Sequence, residues 1–424
     1  MRSSCPVRPF LTAPDGESRA HARPRGEVAD EQATIRVGVA GLGMAGGGIL
    51  SSLRKLDGIE IVAAGDPRGE ARDAFEEQFG GRAYDELDAL CGDDEVDAIW
   101  IATPTQFHAA QAQRAAEHGK HIVVEKPFAA SLAECQSMID AAKRYGVALI
   151  SGGARSFDPA FVAMRRLIES GRLGRLGALN TWSLTGWIIR PREPYEVDVA
   201  QGGGTVFNQA PHPIDVLRLL GGGMVRSVRG TTASWMAERP CPGYFTAYLE
   251  FEDGTPATLT YNGHGYMQGW ELLPWGETPG RRDQADRANA YRRRLKAGPF
   301  DERESRDTLR FGGYDERSPL GGGTDWVPLD AGLVVVSLER GEIRQSAQGL
   351  YVYDDDGRHD EPIDHGGGAR LNEVRELRSA IAGEPALHDG QWGMATMEVV
   401  LALMESSRSR KEIHLEHQVS VSGH

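Results

Sequence analysis

The chain is short of cysteine, of long apolar runs and of positive charge, and each shortage removes a class of function. Its four cysteines, Cys5, Cys91, Cys135 and Cys241, stand far apart in 424 residues with no C-x-x-C pair. Neither a zinc knuckle nor a disulfide framework is indicated, and a reducing cytoplasm is the simple setting. No apolar run approaches the roughly 18 residues needed to cross a bilayer. The opening stretch, MRSSCPVRPFLTAPDGESRAHARPRGEVADEQ, lacks the apolar segment of a secretion signal. Its mixture of Pro, Arg, Ser and acids reads as a disordered tail over residues 1–32. Lys and Arg number 47 against 61 Asp and Glu, a net charge of −14. Such a surface repels phosphate backbones and anionic headgroups, so neither nucleic acid nor membrane is expected as partner. No internal repeat is visible.

What is present is a globular composition, 40% hydrophobic and 25% charged. At roughly 150 residues per domain the length suggests two or three domains. Glycine is abundant, 53 residues, well above the average of about 7%, which points to many turns and close backbone approaches.

From Thr34 strands and helices alternate. Strand patterns cover Ile35 to Val39, Ile59 to Ala64, Asp97 to Ala102, His121 to Val124 and Val147 to Ile150. Helical patterns lie between them: from the glycine loop to about Lys55, Glu70 to Phe79, Ala109 to His118, and from the capping box Ser131-Leu-Ala-Glu134 to about Arg144. The alternation predicts a parallel sheet with helices on both faces over residues 33–152. Beyond residue 150 the β-like runs lengthen: Ala178 to Trp187, Val225 to Ser234, Thr246 to Phe251, Ala257 to Tyr261 and Leu333 to Leu338. With helices at Pro159 to Ser170, after His212, at Leu371 to Ala382 and at Met394 to Ser406, residues 153–415 read as an α+β domain on a large open, mostly antiparallel sheet. Between Arg281 and Arg317 stand eleven basic and eight acidic residues with little apolar periodicity. This is expected to be a solvated insertion or loop within 281–330; a lid or a subunit contact is the functional alternative.

Gly41-Leu42-Gly43-Met44-Ala45-Gly46 follows a strand and precedes a helix near the start of a βαβ unit, the context in which G-x-G-x-x-G signals a dinucleotide. Gly41 permits the tight turn, Gly43 lets backbone approach a pyrophosphate, and Gly46 lets the helix pack on the strand. The helix N-terminus offers N–H groups and a positive dipole end. Asp66, at the end of the second strand, accepts hydrogen bonds from ribose hydroxyls and repels a 2′-phosphate, which favours NAD. Arg68 keeps NADP open, since it can stack on adenine or bind a phosphate. Thr103, Pro104 and His108 follow the third strand pattern, and Glu125-Lys126-Pro127 follows the fourth. Ligands of open α/β sheets bind outside such strand ends. A lysine there, partly desolvated beside a positive nicotinamide, has a lowered pKa and can hold or relay a hydroxyl proton. The bland alternative is a surface lysine paired with Glu125.

Asn208, His212 and Asp215 share one face if helical. Pro211 and Pro213 flank the histidine, so a kink or a fresh helix start is expected, with Gly221-Gly222-Gly223 ending the helix. The plain alternative for His212 is a structural cap or core histidine. A metal on Asn208, His212 and Asp215 is a weaker alternative, since hydride chemistry needs none and no further ligand is within sequence reach; none is expected.

The ordered set GLGMAG, AGDP, ATPTQFH, VEKPFA and GGGTVFNQAPHPID resembles the glucose–fructose oxidoreductase / inositol dehydrogenase / rhizopine catabolism (Gfo/Idh/MocA) family, from about Thr34 to about Leu415. Within it, FNQAPHPIDVLRLLGGGMVRSVRG, TAYLEFEDGTPATLTYNGHGY, RGEIRQSAQGLYVYDDDGR and LHDGQWGMATMEVVLALMESS look like phthalate cis-dihydrodiol dehydrogenases. The resemblance implies a Rossmann domain that binds NAD, followed by a substrate domain whose open sheet packs against another subunit, giving a homodimer or homotetramer. It implies that Lys126 is the catalytic lysine with a cis bond to Pro127, and that His212 is the catalytic histidine. Family members often carry Asp where Asn208 stands. An amide holds no net charge to stabilise an imidazolium, so Asp215 is left to orient the ring or to contact substrate. A phthalate-type ring substrate carries carboxylates, which arginine forks suit; Arg155, Arg190 and Arg192 are the candidates. Hydride would pass from a ring carbinol C–H to the nicotinamide, giving a ketone that tautomerises to a catechol. An inositol or sugar dehydrogenase shares every cofactor motif, and an NAD-dependent glycosidase or a cofactor-sensing regulator is the alternative of another class.

Overall fold

A computed structural model describes residues 34–273, 279–307, 310–311 and 332–421. The tail expected at 1–32, and residues 312–330 of the charged insertion, lie outside the described residues.

The first lobe runs β1 (Ile35–Ala40), α1 (Met44–Leu53), β2 (Ile59–Gly65), α2 (Gly69–Phe79), β3 (Arg82–Tyr84), α3 (Leu87–Cys91), β4 (Ala98–Ile101), α4 (His108–Glu117), β5 (His121–Val124), α5 (Leu132–Tyr145) and β6 (Leu149–Ser151). The strands lie in the order β3-β2-β1-β4-β5-β6, and every neighbouring pair is parallel. Val37, Val39, Ile99, Trp100 and Ile101 are fully buried, as in a sheet covered on both faces. At the start of α5 the Ser131 hydroxyl accepts the Glu134 N–H at 3.3 Å, and the Glu134 carboxylate accepts the Ala130 N–H at 2.9 Å. The strand order reverses between β1 and β4, and such a reversal opens a crevice at the carboxyl ends of the strands.

The second lobe begins with α6 (Pro159–Glu169) and β7 (Leu176–Leu184). Three short helices follow, α7 (Pro194–Val197), α8 (Gly204–Gln209) and α9 (Pro211–Gly221). Then come β8 (Val225–Ala233), β9 (Tyr244–Phe251), β10 (Pro256–Asn262), α10 (Pro279–Ala297) and α11 (Glu302–Asp307). The chain closes with β11 (Leu333–Leu338), β12 (Gly341–Gln345), β13 (Gly349–Asp354), β14 (Gly357–Pro362), α12 (Gly368–Ile381), α13 (Gly390–Ser409) and β15 (Ile413–His414). Nine strands pair in the order β14-β13-β12-β11-β7-β10-β9-β8-β15. β7 with β10 is parallel and the other pairs are antiparallel. Phe245, Ala247, Leu249 and Phe251 of β9 point inward towards the face that α9 and α13 cover. On the opposite face Trp182 and Tyr248 are exposed.

The described part of the charged insertion is helical, as α10 and α11. The two C-terminal helices stitch the lobes together. Val374 and Leu377 of α12 join the core of the first sheet. A Cβ at Gly393 of α13 would come within 2.9 Å of the Phe128 ring and of Ser151, so only glycine lets α13 pass this close to the ends of β5 and β6. Among the described residues no helix is long and apolar enough to cross a membrane.

Candidate active site

The glycine loop leaves β1 in a turn that L side chains resist. Gly41 has φ +94°, and a Cβ on it would lie 2.9 Å from the Ala102 carbonyl. A Cβ on Gly46 would collide with the Gly41 carbonyl. Gly43, the cap of α1, would place a Cβ in open space. No side chain caps α1 and its first turn carries no acid, so the first-turn N–H groups point out uncompensated. An anion can approach them closely. That fits the pyrophosphate of a dinucleotide, held by Gly43, Met44, Ala45 and Gly46.

Asp66 emerges from β2 only 6% exposed. Its Oδ2 accepts the Leu42 N–H at 2.8 Å, and its Oδ1 accepts the Arg68 N–H at 2.9 Å and Nε at 3.0 Å. Arg68 also donates to the Leu42 carbonyl at 2.8 Å. Burial pushes the Asp66 carboxyl up, but the Arg68 and Leu42 hydrogen bonds outweigh it and hold the group below the usual carboxylate range. Asp66 therefore stays ionised, with the Arg68 guanidinium turned towards it and the loop.

Thr103 and Pro104 leave β4 beside the glycine loop, and a Cβ on Gly41 would touch Thr103 Cγ2 at 3.0 Å. His108 is only 1% exposed. Its Nδ1 lies 2.9 Å from the Pro127 carbonyl and its Nε2 lies 2.8 Å from the Thr103 carbonyl. Burial pushes its pKa down. Its ring sits between the carbonyls of the loop after β4 and the loop after β5, and the neutral imidazole has one N–H to donate to them. Glu125 is likewise buried. Its carboxylate lies 3.5 Å from Arg370 and faces the Trp100 indole at 3.5 Å, while Glu373 shares the same arginine. Glu125 thus belongs to a buried cluster behind the strand ends.

Lys126 projects from the next position, half-buried, and its bond to Pro127 is cis. Its Nζ donates to the Asn208 carbonyl at 3.4 Å. A fresh helix begins at Pro211, in the first turn of α9, which places His212 at its N-terminal end, 5% exposed. Lys126, His212 and Asp215 line one cavity with Phe128, Gly153 and Met397. The structure thus brings a lysine and a histidine that lie 86 positions apart in the chain to the wall of one cavity.

Two expected partners of the histidine are committed elsewhere. The Asn208 amide donates to Gly204 O at 3.2 Å within its own helix, so Asn208 meets Lys126 through its backbone carbonyl. Asp215 Oδ2 accepts from the Ser156 N–H at 2.8 Å and hydroxyl at 2.5 Å, and Oδ1 accepts from Trp392 Nε1 at 2.7 Å. Ser156 Oγ also lies 2.5 Å from His388 Nε2, and His388 Nδ1 lies 2.9 Å from Glu376. Burial lowers the His388 pKa, yet the Glu376 carboxylate wins and raises it. Sequence reasoning missed Ser156, His388, Glu376 and Trp392. Their partners lie up to 232 positions away, beyond any local pattern.

The three arginines proposed for substrate differ. Arg192 is buried, with its Nε and NH2 on the Trp187 carbonyl at 3.2 and 2.8 Å and NH1 3.4 Å from Glu196. It stacks on Trp187 at 3.9 Å and is corrected to a structural tie. Arg190 is exposed and lends its carbonyl to Arg239. Arg155, just after β6, pairs loosely with Asp158 at 3.7 Å and is about one-third exposed. Among the described residues no group of three or more His, Cys, Asp or Glu is placed to hold a metal.

Comparison with known proteins agrees with this geometry. Residues 35–152 match the Oxidoreductase family, NAD-binding Rossmann fold (GFO_IDH_MocA), and residues 161–271 match the GFO/IDH/MocA C-terminal domain. Over 384 residues the chain is 32% identical to a 1-carboxy-3-chloro-3,4-dihydroxycyclohexa-1,5-diene dehydrogenase of Comamonas testosteroni, covering 88% of this chain and 95% of that one. It is 30% identical to an NAD⁺-dependent scyllo-inositol 2-dehydrogenase of Bacillus subtilis over 52% of this chain and 65% of the relative. A crystal structure from Bordetella bronchiseptica RB50, assigned as a dehydrogenase, superposes with a TM-score of 0.83 at 34% identity, over 90% of this chain and all of that one.

Proposed function

Because the chain belongs to the GFO/IDH/MocA oxidoreductase family and is an NAD-dependent oxidoreductase, we propose that its substrate is a cis-dihydrodiol of an aromatic carboxylic acid, of the phthalate type. The near full-length match to a dihydroxycyclohexadiene carboxylate dehydrogenase carries this reading; the inositol dehydrogenase match covers about half of the chain. NAD, when bound, supplies the hydride acceptor. The chain's own residues hold it by the α1 N-terminus and Asp66 and move the proton. Lys126 Nζ, steered by the Asn208 carbonyl, would act from its neutral amine form, taking the hydroxyl proton and becoming the ammonium as the carbinol C–H bond is lost. His212, on the same cavity wall, binds the neighbouring hydroxyl or shares the proton. The product ketone tautomerises to a catechol, which makes the step strongly downhill. Arg155 is the arginine left to receive the ring carboxylate. The open face of the nine-stranded sheet, with Trp182 and Tyr248 exposed, is read as the subunit interface of a homodimer or homotetramer, and a reducing cytoplasm as its setting.

The test is NAD⁺ reduction followed by NADH fluorescence, with cis-dihydrodiol carboxylates, inositols and aldoses side by side. The highest kcat/KM is expected on the dihydrodiol. Preference for an inositol would replace this reading with that of a polyol dehydrogenase. Release of the alcohol from an aryl glycoside included in the same screen, without NADH accumulation, would point to a redox-neutral glycosidase. Light scattering of Trp182→Asp is expected to show smaller particles than the parent chain.

A further inference from the structure

The charged insertion returns to the cofactor loop. Phe311 lies against α1, where a Cβ at Gly47 would come within 3.2 Å of the Phe311 Cβ, and its ring sits 6.1 Å from Phe79 of α2. Arg306, in α11, is only 8% exposed. Its NH1 lies 2.8 Å from the sulfur of Met44, the first residue of α1, and its NH2 pairs with Glu196. Its Nε is buried, with no hydrogen-bond partner among the described residues. A thioether is a weak acceptor, so a buried guanidinium stands with one nitrogen unsatisfied and another poorly satisfied, a costly arrangement. It stands there at the uncapped end of α1, whose first turn has no acid. Around it the carboxylates of Glu193, Glu196 and Glu302 face Arg192, Arg239, Arg303, Arg306 and Arg310.

We propose that Arg306 is a phosphate ligand of the dinucleotide, delivered from the second lobe to the pyrophosphate at the α1 N-terminus. The proposal deepens the cofactor reading and rests on it. Binding exchanges the Met44 thioether for phosphate oxygens, gives the orphaned Nε an acceptor, and ties α11 to occupancy of the cofactor cleft. The second lobe thus contacts the cofactor at its phosphates.

The test uses calorimetric titration of the full chain with ADP-ribose, which has the pyrophosphate but no nicotinamide, and with NADH. Arg306→Ala is expected to weaken both ligands alike, by about tenfold or more, as loss of a charge-assisted bond requires, and Arg306→Lys to recover part of the loss. Glu196→Gln removes the competing anion and is expected to leave the affinity unchanged or tighten it. Melting curves without ligand check that each variant folds. An Arg306→Ala chain that binds both ligands within twofold of the parent would overturn the proposal. So would a Glu196→Gln chain that weakens as much as Arg306→Ala, since Arg306 would then be a structural tie between α11 and α7. A parent chain that binds neither ligand would defeat the cofactor reading itself.

Discussion

The cofactor half and the substrate half of the site are built in opposite ways. On the cofactor side the working groups are backbone N–H groups and one carboxylate at the ends of adjacent parallel strands, each within a few residues of the strand that aims it. On the substrate side they are side chains that converge from Lys126, Ser156, the 208–215 segment and the 388–392 segment, with Asp215 held by donors on two other elements. The cofactor half is therefore tolerant of what surrounds it, whereas the substrate half depends on α9, α12 and α13 all being seated. Polar residues on that side divide into those that face the cavity and those that hold the walls, and only contacts tell them apart.

The largest effect that sharpens this contrast is Lys126→Ala. Turnover is expected to fall by about 10²- to 10⁴-fold, the range for loss of a positioned proton-transfer group, with the Kd for NADH within twofold of the parent. Near-normal turnover would remove Lys126 from the chemistry and break the comparison.

Next comes Arg192→Met, which tests a wall residue. The substitution removes the Arg192 donors from the buried Trp187 carbonyl and one of the two arginines on Glu196, so a clear drop in the denaturant midpoint is expected with KM unchanged. A raised KM at unchanged stability would return Arg192 to substrate binding.

Asp66→Ala is expected to weaken NADH by about tenfold, one charged hydrogen-bonding group's worth, and to narrow the preference over NADPH, while kcat at saturating cofactor holds. The Asp66 carboxyl lies below its ordinary value, so its contribution to stability is full above the unfolded-state value and is lost as pH falls through the folded one. Asp66→Asn should accordingly shallow the acid limb of a pH–stability curve. A steeper limb would contradict the Arg68 pairing.

The smallest expected effect concerns Glu373. Burial, with Glu125 nearby and Arg370 opposing, pushes its carboxyl up to about 7. Between the ordinary carboxylate value and about 7 the folded chain holds a proton that the unfolded chain has released, so stability falls as pH rises through that window. Glu373→Gln should flatten the fall, read as melting temperature across neutral pH. An unchanged slope would show that Arg370 keeps Glu373 ionised.

Much of the first lobe was legible because its elements follow short-range rules. β1, β2, β4 and β5 are apolar runs bounded by turns, and the Ser131–Glu134 box marks the start of α5 where it is observed. β3 and α3, at three and five residues, are too short to show a period. α10 escaped because few apolar side chains seat it: Ala288 and Leu295 are buried, and Arg292 lies over Tyr266 at 3.9 Å. A helix that packs through arginine looks like a charged loop. In the site, the positions of Gly41, Gly43, Gly46, Asp66 and Lys126 follow from strand ends. The behaviour of His108, Glu125, Asn208 and Arg192 does not, since each carries a plausible functional side chain that the fold turns towards a backbone carbonyl or a buried ion partner.

By itself the amino-acid order determined the doubly wound lobe, the glycine loop that opens α1 and the lysine at a strand end, because backbone geometry and helix dipoles act over a few residues. Only the tertiary structure decided which imidazole faces that lysine, which carboxylates are already spoken for, and that Arg306 reaches the loop at Met44. Those outcomes depend on desolvation and on contacts between segments tens to hundreds of residues apart, and no local pattern encodes how much water a side chain has lost.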